Sequence, residues 1–262
     1  MLLYRVFSAI IGIPLALFAV WRGGFLLSAI ILVIAILGVL EMGRLWKKVG
    51  IRMWIPGAVV GSAFYVVDAH TGGGFLGAAL FLTLAAGAVY LISVYPAFSF
   101  ADMAATIFSP IYTGWLLAHL IDLRQLPGGF HFVLLVLAVT WSTDTFAYFV
   151  GINLGKHKLA PVLSPGKSVE GAVGGALGSI IIALAIGLLY NSMPLLHYPV
   201  IGLLAGITGQ AGDLLESAFK RMSGVKDSGN LIPGHGGILD RFDSLFLTGP
   251  VVYYYVKLFI MN

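Results

Sequence analysis

Cysteine is absent from this 262-residue chain, which excludes disulfides, thiolate metal sites and cysteine nucleophiles. Charge is scarce: Asp, Glu, Lys and Arg together make up 10% of the residues, where soluble domains carry about 25%. No polar stretch is long enough to fold as a separate soluble domain, and His235 has no second histidine at ligand spacing. A net charge of +4 is no nucleic-acid footprint, so no nucleic-acid partner is expected. What fills the chain instead is apolar: 59% of it is hydrophobic, and the mean hydropathy is +0.98. This composition predicts an all-α, polytopic integral membrane protein with a single membrane domain.

A membrane span needs roughly 20 mainly apolar residues. Nine segments qualify, at about 6–21, 24–42, 55–70, 74–96, 103–122, 129–150, 170–190, 198–220 and 240–260. Arg5 followed by an apolar run has the look of a signal peptide. No small-residue cleavage site follows, so the run reads as a retained first span. Placing the N-terminus in the cytoplasm puts Arg5, Arg44, Lys47, Lys48, Arg52, Lys156, Lys158, Lys167, Lys220, Arg221, Lys226 and Arg241 on the cytoplasmic side. Only Arg22, Arg124 and Lys257 fall outside. The positive-inside rule supports that orientation. It turns two polar, glycine-rich segments, 151–169 and 221–239, toward the cytosol. Lys47 and Lys48 read as topology-setting. Asp68 and Asp102 sit at span ends and are expected to be solvated, while Glu41 is expected to pair with Arg44.

The densest polar stretch is SAFKRMSGVKDSGNLIPGHGGILDRFDS, from Ser217 to Ser244. Ionisable side chains at the edge of a bilayer are costly and are functional by default. On the eighth span Asp213, Glu216, Ser217 and Lys220 fall at i, i+3, i+4 and i+7, one helical face. The ninth span opens with Asp240, Arg241, Asp243 and Ser244. A glycine-rich connection can bring Asp213 near Asp240, and such carboxylates suit a hard divalent cation held together with substrate phosphates. The alternative is an intramembrane ion pair, such as Asp213 with Lys220 or Arg241. In the run Gly234-His235-Gly236-Gly237, glycine permits turns whose N–H groups can cradle an anion; the alternative is a plain turn. The second polar stretch carries Asp144 inside the sixth span. Its Gly166-Lys167-Ser168 resembles the end of a P-loop but lacks the first glycine and the preceding strand. Lys167 and Ser168 at a helix start can hold a phosphate, although Ser164 and Ser168 also read as helix caps. Gly171, Gly174, Gly175 and Gly178 form a small-residue stripe suited to helix packing.

The run Ser217-x-Phe219-Lys220-Arg221, Lys226-Asp227-x-Gly229 and Ile232-Pro233-x-His235-Gly236-Gly237-Ile238-x-Asp240-Arg241-Phe242-Asp243 resembles the signature of the phosphatidate cytidylyltransferases, or CDP-diacylglycerol synthases, without departure. The SPGKSVEG segment and the Asp144 region resemble that family's second polar block. Together they cover about a quarter of the chain. The resemblance implies that CTP and phosphatidic acid give CDP-diacylglycerol and pyrophosphate at the cytosolic face of the cell membrane. It also implies Mg²⁺, with a second, monovalent cation such as K⁺ as a further expectation, and a homodimer. It places Asp213 and Asp240 at metal positions. The candidate catalytic residues are Asp144, Lys226, Asp227, Arg241 and Asp243. The candidate substrate-binding residues are Lys167, Ser168, Ser217, Lys220, Arg221, His235, Gly236 and Gly237. Spans up to about residue 122 are expected to be scaffold, and those over about 129–262 to carry the site. The competing readings are a CTP-dependent lipid kinase and an anion transporter.

Overall fold

The structure, a computed structural model, describes residues 2–190, 192–229 and 236–261, with side chains from residue 10 onward. Among the described residues the chain forms nine helices and one small hairpin. The helices are α1 (Leu2–Arg22), α2 (Gly24–Lys48), α3 (Ile55–His70), α4 (Leu76–Val94), α5 (Phe100–Gln125), α6 (Gly129–Leu154), α7 (Val169–Tyr190), α8 (His197–Met222) and α9 (Leu239–Phe259). Each coincides with an expected apolar segment to within a few residues. Two short antiparallel strands, β1 (Lys158–Ala160) and β2 (Ser164–Ser168), join α6 to α7.

Local chemistry sets these boundaries. Glycine at positive φ breaks the chain between α1 and α2 (Gly23, 62°) and before α6 (Gly128, 73°), a conformation that a side chain resists. Pro56 sits in the first turn of α3, where its missing N–H costs nothing. A reciprocal capping box between Ser99 and Asp102 starts α5. Within α5, Pro110, which has no N–H to donate, is followed by a π-helical turn, Ile111–Trp115.

Among the described residues, five helices are long and apolar enough to cross a membrane: α2, α4, α5, α6 and α7. On α4, Phe81, Val89 and Ile92 expose well over half of their surface, as lipid-facing side chains do (67%, 66% and 78%). The chain is a multi-pass membrane protein. α8 and α9 carry Asp213, Glu216, Lys220, Arg221, Asp240, Arg241 and Asp243 among their apolar residues.

The chain divides into two compact units. The first comprises residues 1–125 and 219–241, the second residues 126–218 and 242–262. In the first, Leu27, Ile31, Ala35, Val39, Met42, Tyr65 and Tyr112 are buried. In the second, α6 and α7 pack closely along the glycine stripe. A Cβ on Gly175 would lie 2.9 Å from the Thr143 carbonyl oxygen, and Cβ atoms on Gly174 and Gly178 would strike Val150 and Phe146. The stripe is helix packing, as its spacing suggests.

Asp68 and Asp102 are not solvated. Both are buried. Asp68 accepts the Phe75 N–H at 2.9 Å, and Asp102 accepts the N–H groups of Arg52 at 2.6 Å and Ser99 at 2.7 Å. Each carboxylate fastens a loop onto a helix end, which compensates its burial.

Candidate active site

In the second unit the hairpin, α6 and α8 enclose a cavity of about 460 Å³. Its lining includes Asp144, Tyr148, Lys167, Ser168, Gln210 and Asp213. The hairpin owes its position to Glu170, whose carboxylate accepts the N–H of Lys156 at 3.0 Å, the N–H of His157 at 3.2 Å and a hydrogen bond with His157 Nδ1 at 2.6 Å. This ties the start of the hairpin to the first turn of α7. Strand pairing of Lys158 with Ser168 then presents Lys167 to α8. The Lys167 ammonium lies 2.5 Å from Asp213 Oδ2. The other Asp213 oxygen accepts the Ser217 hydroxyl at 3.4 Å. Ser168 accepts the Gly171 N–H at 3.1 Å, so it caps α7 and lines the cavity at once. Asp243, on α9, accepts the Ser244 N–H at 2.6 Å and lies within electrostatic reach of Asp213, Asp144 and Lys167. Gly212 makes room for this segment, since a Cβ there would strike the Asp243 carbonyl oxygen.

In the first unit the described parts of the signature loop, up to Gly229 and from Gly236 on, converge on Asp240. Its Oδ1 accepts from Lys220 at 2.7 Å. Its Oδ2 accepts from the Ser228 N–H at 2.9 Å, the Ser228 hydroxyl at 2.8 Å and the Gly237 N–H at 2.8 Å. The pair is nearly dry: the Lys220 and Asp240 side chains expose only 13% and 8% of their surface. Arg221 donates to the Val225 carbonyl at 3.1 Å, closing the turn after α8. Lys226, Asp227 and Arg241 are exposed. Gly236 adopts φ 82°. His235 lies outside the described residues.

Glu41 carries the one contact of this region that its sequence position conceals. It is fully buried (0% exposed) and accepts from the Ser228 hydroxyl at 3.0 Å and from the N–H groups of Ile238 and Leu239, both at 2.9 Å. The expected pairing with Arg44 does not describe it, because three donors of the signature loop take up its oxygens. A lone carboxylate closing an apolar run was the available signal. One turn further on, Arg44 and Lys48 line a cavity of about 380 Å³ with Asp227, Ser228 and Gly229. Lys48 therefore faces the loop, whereas Lys47 is not among the residues lining this cavity.

The N–H groups of Gly237, Ile238 and Leu239 point at carboxylates of the chain itself, Asp240 and Glu41. The ion-pair alternative takes a specific form: Asp213 pairs with Lys167 in the second unit, and Lys220 pairs with Asp240 in the first. Among the described residues no three His, Asp or Glu side chains converge as a preformed metal cage. Mg²⁺ does not require one, since it usually takes one or two carboxylates plus substrate phosphates and water. Asp213 and Asp240 each already attract one cationic group, and both supply hard oxygen donors. Carboxylate oxygens are hard donors of the kind a divalent cation takes.

The chain matches the cytidylyltransferase family over residues 3–259 and belongs to it. It is 42% identical over 172 residues to the phosphatidate cytidylyltransferase of Bacillus subtilis (strain 168), an alignment spanning 65% of this chain and 64% of that protein. The same-named protein of Staphylococcus saprophyticus is 46% identical over 156 residues, 59% of each chain. The alignments with these two relatives thus cover under two-thirds of their length. The phosphatidate cytidylyltransferase of Staphylococcus aureus (strain COL) is 35% identical over 259 residues, 95% of this chain and 96% of that one.

Proposed function

We propose that this protein is a nucleotidyltransferase of phospholipid biosynthesis that transfers the cytidylyl group of CTP to phosphatidic acid, giving CDP-diacylglycerol and pyrophosphate. A phosphate oxygen of the lipid attacks the α-phosphorus of CTP. The new P–O bond forms as the bond from the α-phosphorus to the bridging oxygen breaks, and pyrophosphate leaves with that electron pair. Both reactants are anions, so catalysis is chiefly charge neutralisation and alignment. The lipid phosphate is already largely ionised near neutral pH, so neither a strong base nor a nucleophilic side chain is required.

The observation that carries this reading is the cavity in which one ammonium, one hydroxyl and two carboxylates converge: Lys167, Ser168, Asp144 and Asp213. A cation and a hydroxyl suit a phosphate group, and the carboxylates suit the metal that travels with a nucleotide. Asp213 and Asp240 are the proposed Mg²⁺ ligands, a monovalent cation such as K⁺ being a further option. When bound, the metal would neutralise charge on the triphosphate. Lys167 would exchange its carboxylate partner for a phosphate oxygen, and Lys220 would hold Asp240 in place. Arg44, Lys48 and Lys226 add positive charge around the signature loop.

The orientation proposed is nine spans in the cytoplasmic membrane, with the N-terminus and both glycine-rich segments in the cytosol, where CTP is. Cysteines placed beside Lys158 and Gly229 would then react only from the cytosolic side, and one beside Leu195 only from outside; reaction at 229 from outside would reverse the orientation. The assembly proposed is a homodimer. Membership in a cytidylyltransferase family favours cytidylyl transfer over phosphorylation of a lipid alcohol or anion transport. Incubating the purified protein with CTP, phosphatidic acid and Mg²⁺ tests the reaction. CDP-diacylglycerol and pyrophosphate should accumulate in equal amounts, and the absence of both would refute it.

A further inference from the structure

Glu41 stands nearly two hundred residues before its partners, on a helix that sequence reasoning assigned to scaffold. Its two oxygens receive the Ser228 hydroxyl, the Ile238 N–H and the Leu239 N–H at 2.9–3.0 Å. Those donors come from both ends of the signature loop, so one carboxylate closes that loop at its base. A carboxylate is acceptor-only, and here it takes two backbone N–H groups outright and shares the single proton of the Ser228 hydroxyl with Asp240. Two glycines make the approach possible. A Cβ on Gly229 would lie 2.6 Å from Glu41 Oε1, and one on Gly237 would strike Glu41 Oε2 and the Ser228 hydroxyl. The glycine requirement at both positions follows from the bulk of this carboxylate.

Ser228 carries the effect onward. Its hydroxyl oxygen lies 3.0 Å from Glu41 Oε2 and 2.8 Å from Asp240 Oδ2, while its own N–H also binds Asp240. Glu41 and Asp240 thus grip the same residue, and the orientation of Asp240 depends on where Glu41 holds it. The network is buried: Glu41, Ser228 and Asp240 are all largely removed from solvent. A buried polar network of this kind fixes one geometry only when its members are all present.

We infer that Glu41 is a positioning residue for cytidylyl transfer, clamping both ends of the signature loop and, through Ser228, setting the orientation of Asp240. The catalytic half of this inference rests on the reaction proposed above; the clamp itself does not. Glu41→Gln tests it well, because the amide keeps the volume but replaces one acceptor with an NH₂ group facing a donor. Hydrogen exchange of the detergent-purified chain and steady-state kinetics should be read on the same sample. The amides of Ile238 and Leu239 should exchange at least tenfold faster in the variant, with those of α6 and α7 unchanged. The kcat should fall at least tenfold with KM for CTP within about threefold of the parent. Glu41→Asp, which keeps the charge, should recover part of the loss. A Glu41→Gln chain whose loop exchange and kcat both stay within twofold of the parent overturns the inference. If Glu41→Gln does not fold, Ser228→Ala decides, since it cuts the link and leaves both carboxylates. The inference requires the same fall in kcat there, and wild-type kinetics overturn it. A parent chain without cytidylyl transfer would overturn the reaction and the catalytic half of the inference, while the exchange arm would still read the clamp.

Discussion

Lys167 and Asp213 meet at 2.5 Å across the cavity of the second unit, which joins the β-hairpin to the eighth helix. Both side chains stay partly exposed, at 25% and 31%. A partly solvated pair of this kind contributes little to stability, about 0–1 kcal/mol. Its value lies in holding an ammonium where a phosphate would arrive. Lys167→Ala should therefore lower kcat/KM at least tenfold, about 1.4 kcal/mol of transition-state stabilisation, while the melting temperature in detergent moves by no more than about 2 °C. A large loss of stability with unchanged turnover of the surviving protein would make the pair structural.

The two proposed metal carboxylates should separate in their stability effects. Asp213→Asn and Asp240→Asn are each expected to lower kcat by orders of magnitude and to weaken the response to added Mg²⁺. Only Asp240→Asn should also destabilise the fold, because it breaks the nearly dry Lys220–Asp240 pair, whereas the Lys167–Asp213 pair is partly solvated. Breaking a buried pair costs on the order of 3 kcal/mol. Thermal unfolding of both variants beside Mg²⁺ titrations checks this. Equal melting temperatures would contradict the structural half of the argument, and near-normal turnover would remove that residue from the metal site.

Much of the fold was written in hydropathy, and the long-range contacts were not. Among the described residues, helices formed at the apolar runs read from the sequence, and five of them are long and apolar enough to cross a membrane, because a span is a local property of about 20 residues. The glycine stripe on α7 was legible for the same reason, since small residues four apart share one helical face. The 158–168 hairpin was not, because Pro161 opens its turn, Pro165 and Gly166 lie in its second strand, and neither strand shows the alternation that marks one. The sequence offered Lys220 or Arg241 as an ion-pair partner for Asp213, and no spacing pointed to Lys167, which the hairpin delivers from outside α8. Glu41 was misread because a nearby arginine offered a local partner, and no local rule points to donors at 228, 238 and 239.

Helix packing gives a prediction independent of catalysis. Gly175→Leu places a side chain against the Thr143 carbonyl and the Ala147 methyl, both within 3.0 Å of the new Cβ. Overpacking costs about 1–3 kcal/mol or more. Gly77→Leu meets nothing within 4 Å. Melting curves in detergent should show a drop of several degrees for the first and little change for the second. Equal curves would mean that α6 and α7 do not depend on this close approach.

Lys226 and Lys47 form a matched test of the signature loop. Both are exposed lysines; Lys226 is in the loop, and Lys47 is not among the residues lining the cavity that Lys48 and Arg44 share with it. Lysine acts on phosphate as a point charge, so its removal should matter only where phosphate binds. Lys226→Ala should lose at least tenfold in kcat/KM for CTP, about 1.4 kcal/mol, and Lys47→Ala less than twofold. Equally mild effects would remove the loop from phosphate binding.

The central claim is transfer of the cytidylyl group, and the fate of a radiolabel measures it most directly. The purified protein is given phosphatidic acid, Mg²⁺ and CTP labelled at either the α- or the γ-phosphate, and the lipid and aqueous phases are separated. Cytidylyl transfer predicts that the α-label enters the lipid as CDP-diacylglycerol and the γ-label stays in water as pyrophosphate. A γ-label in the lipid phase, with the α-label left in water, would contradict the account and make the protein a lipid kinase.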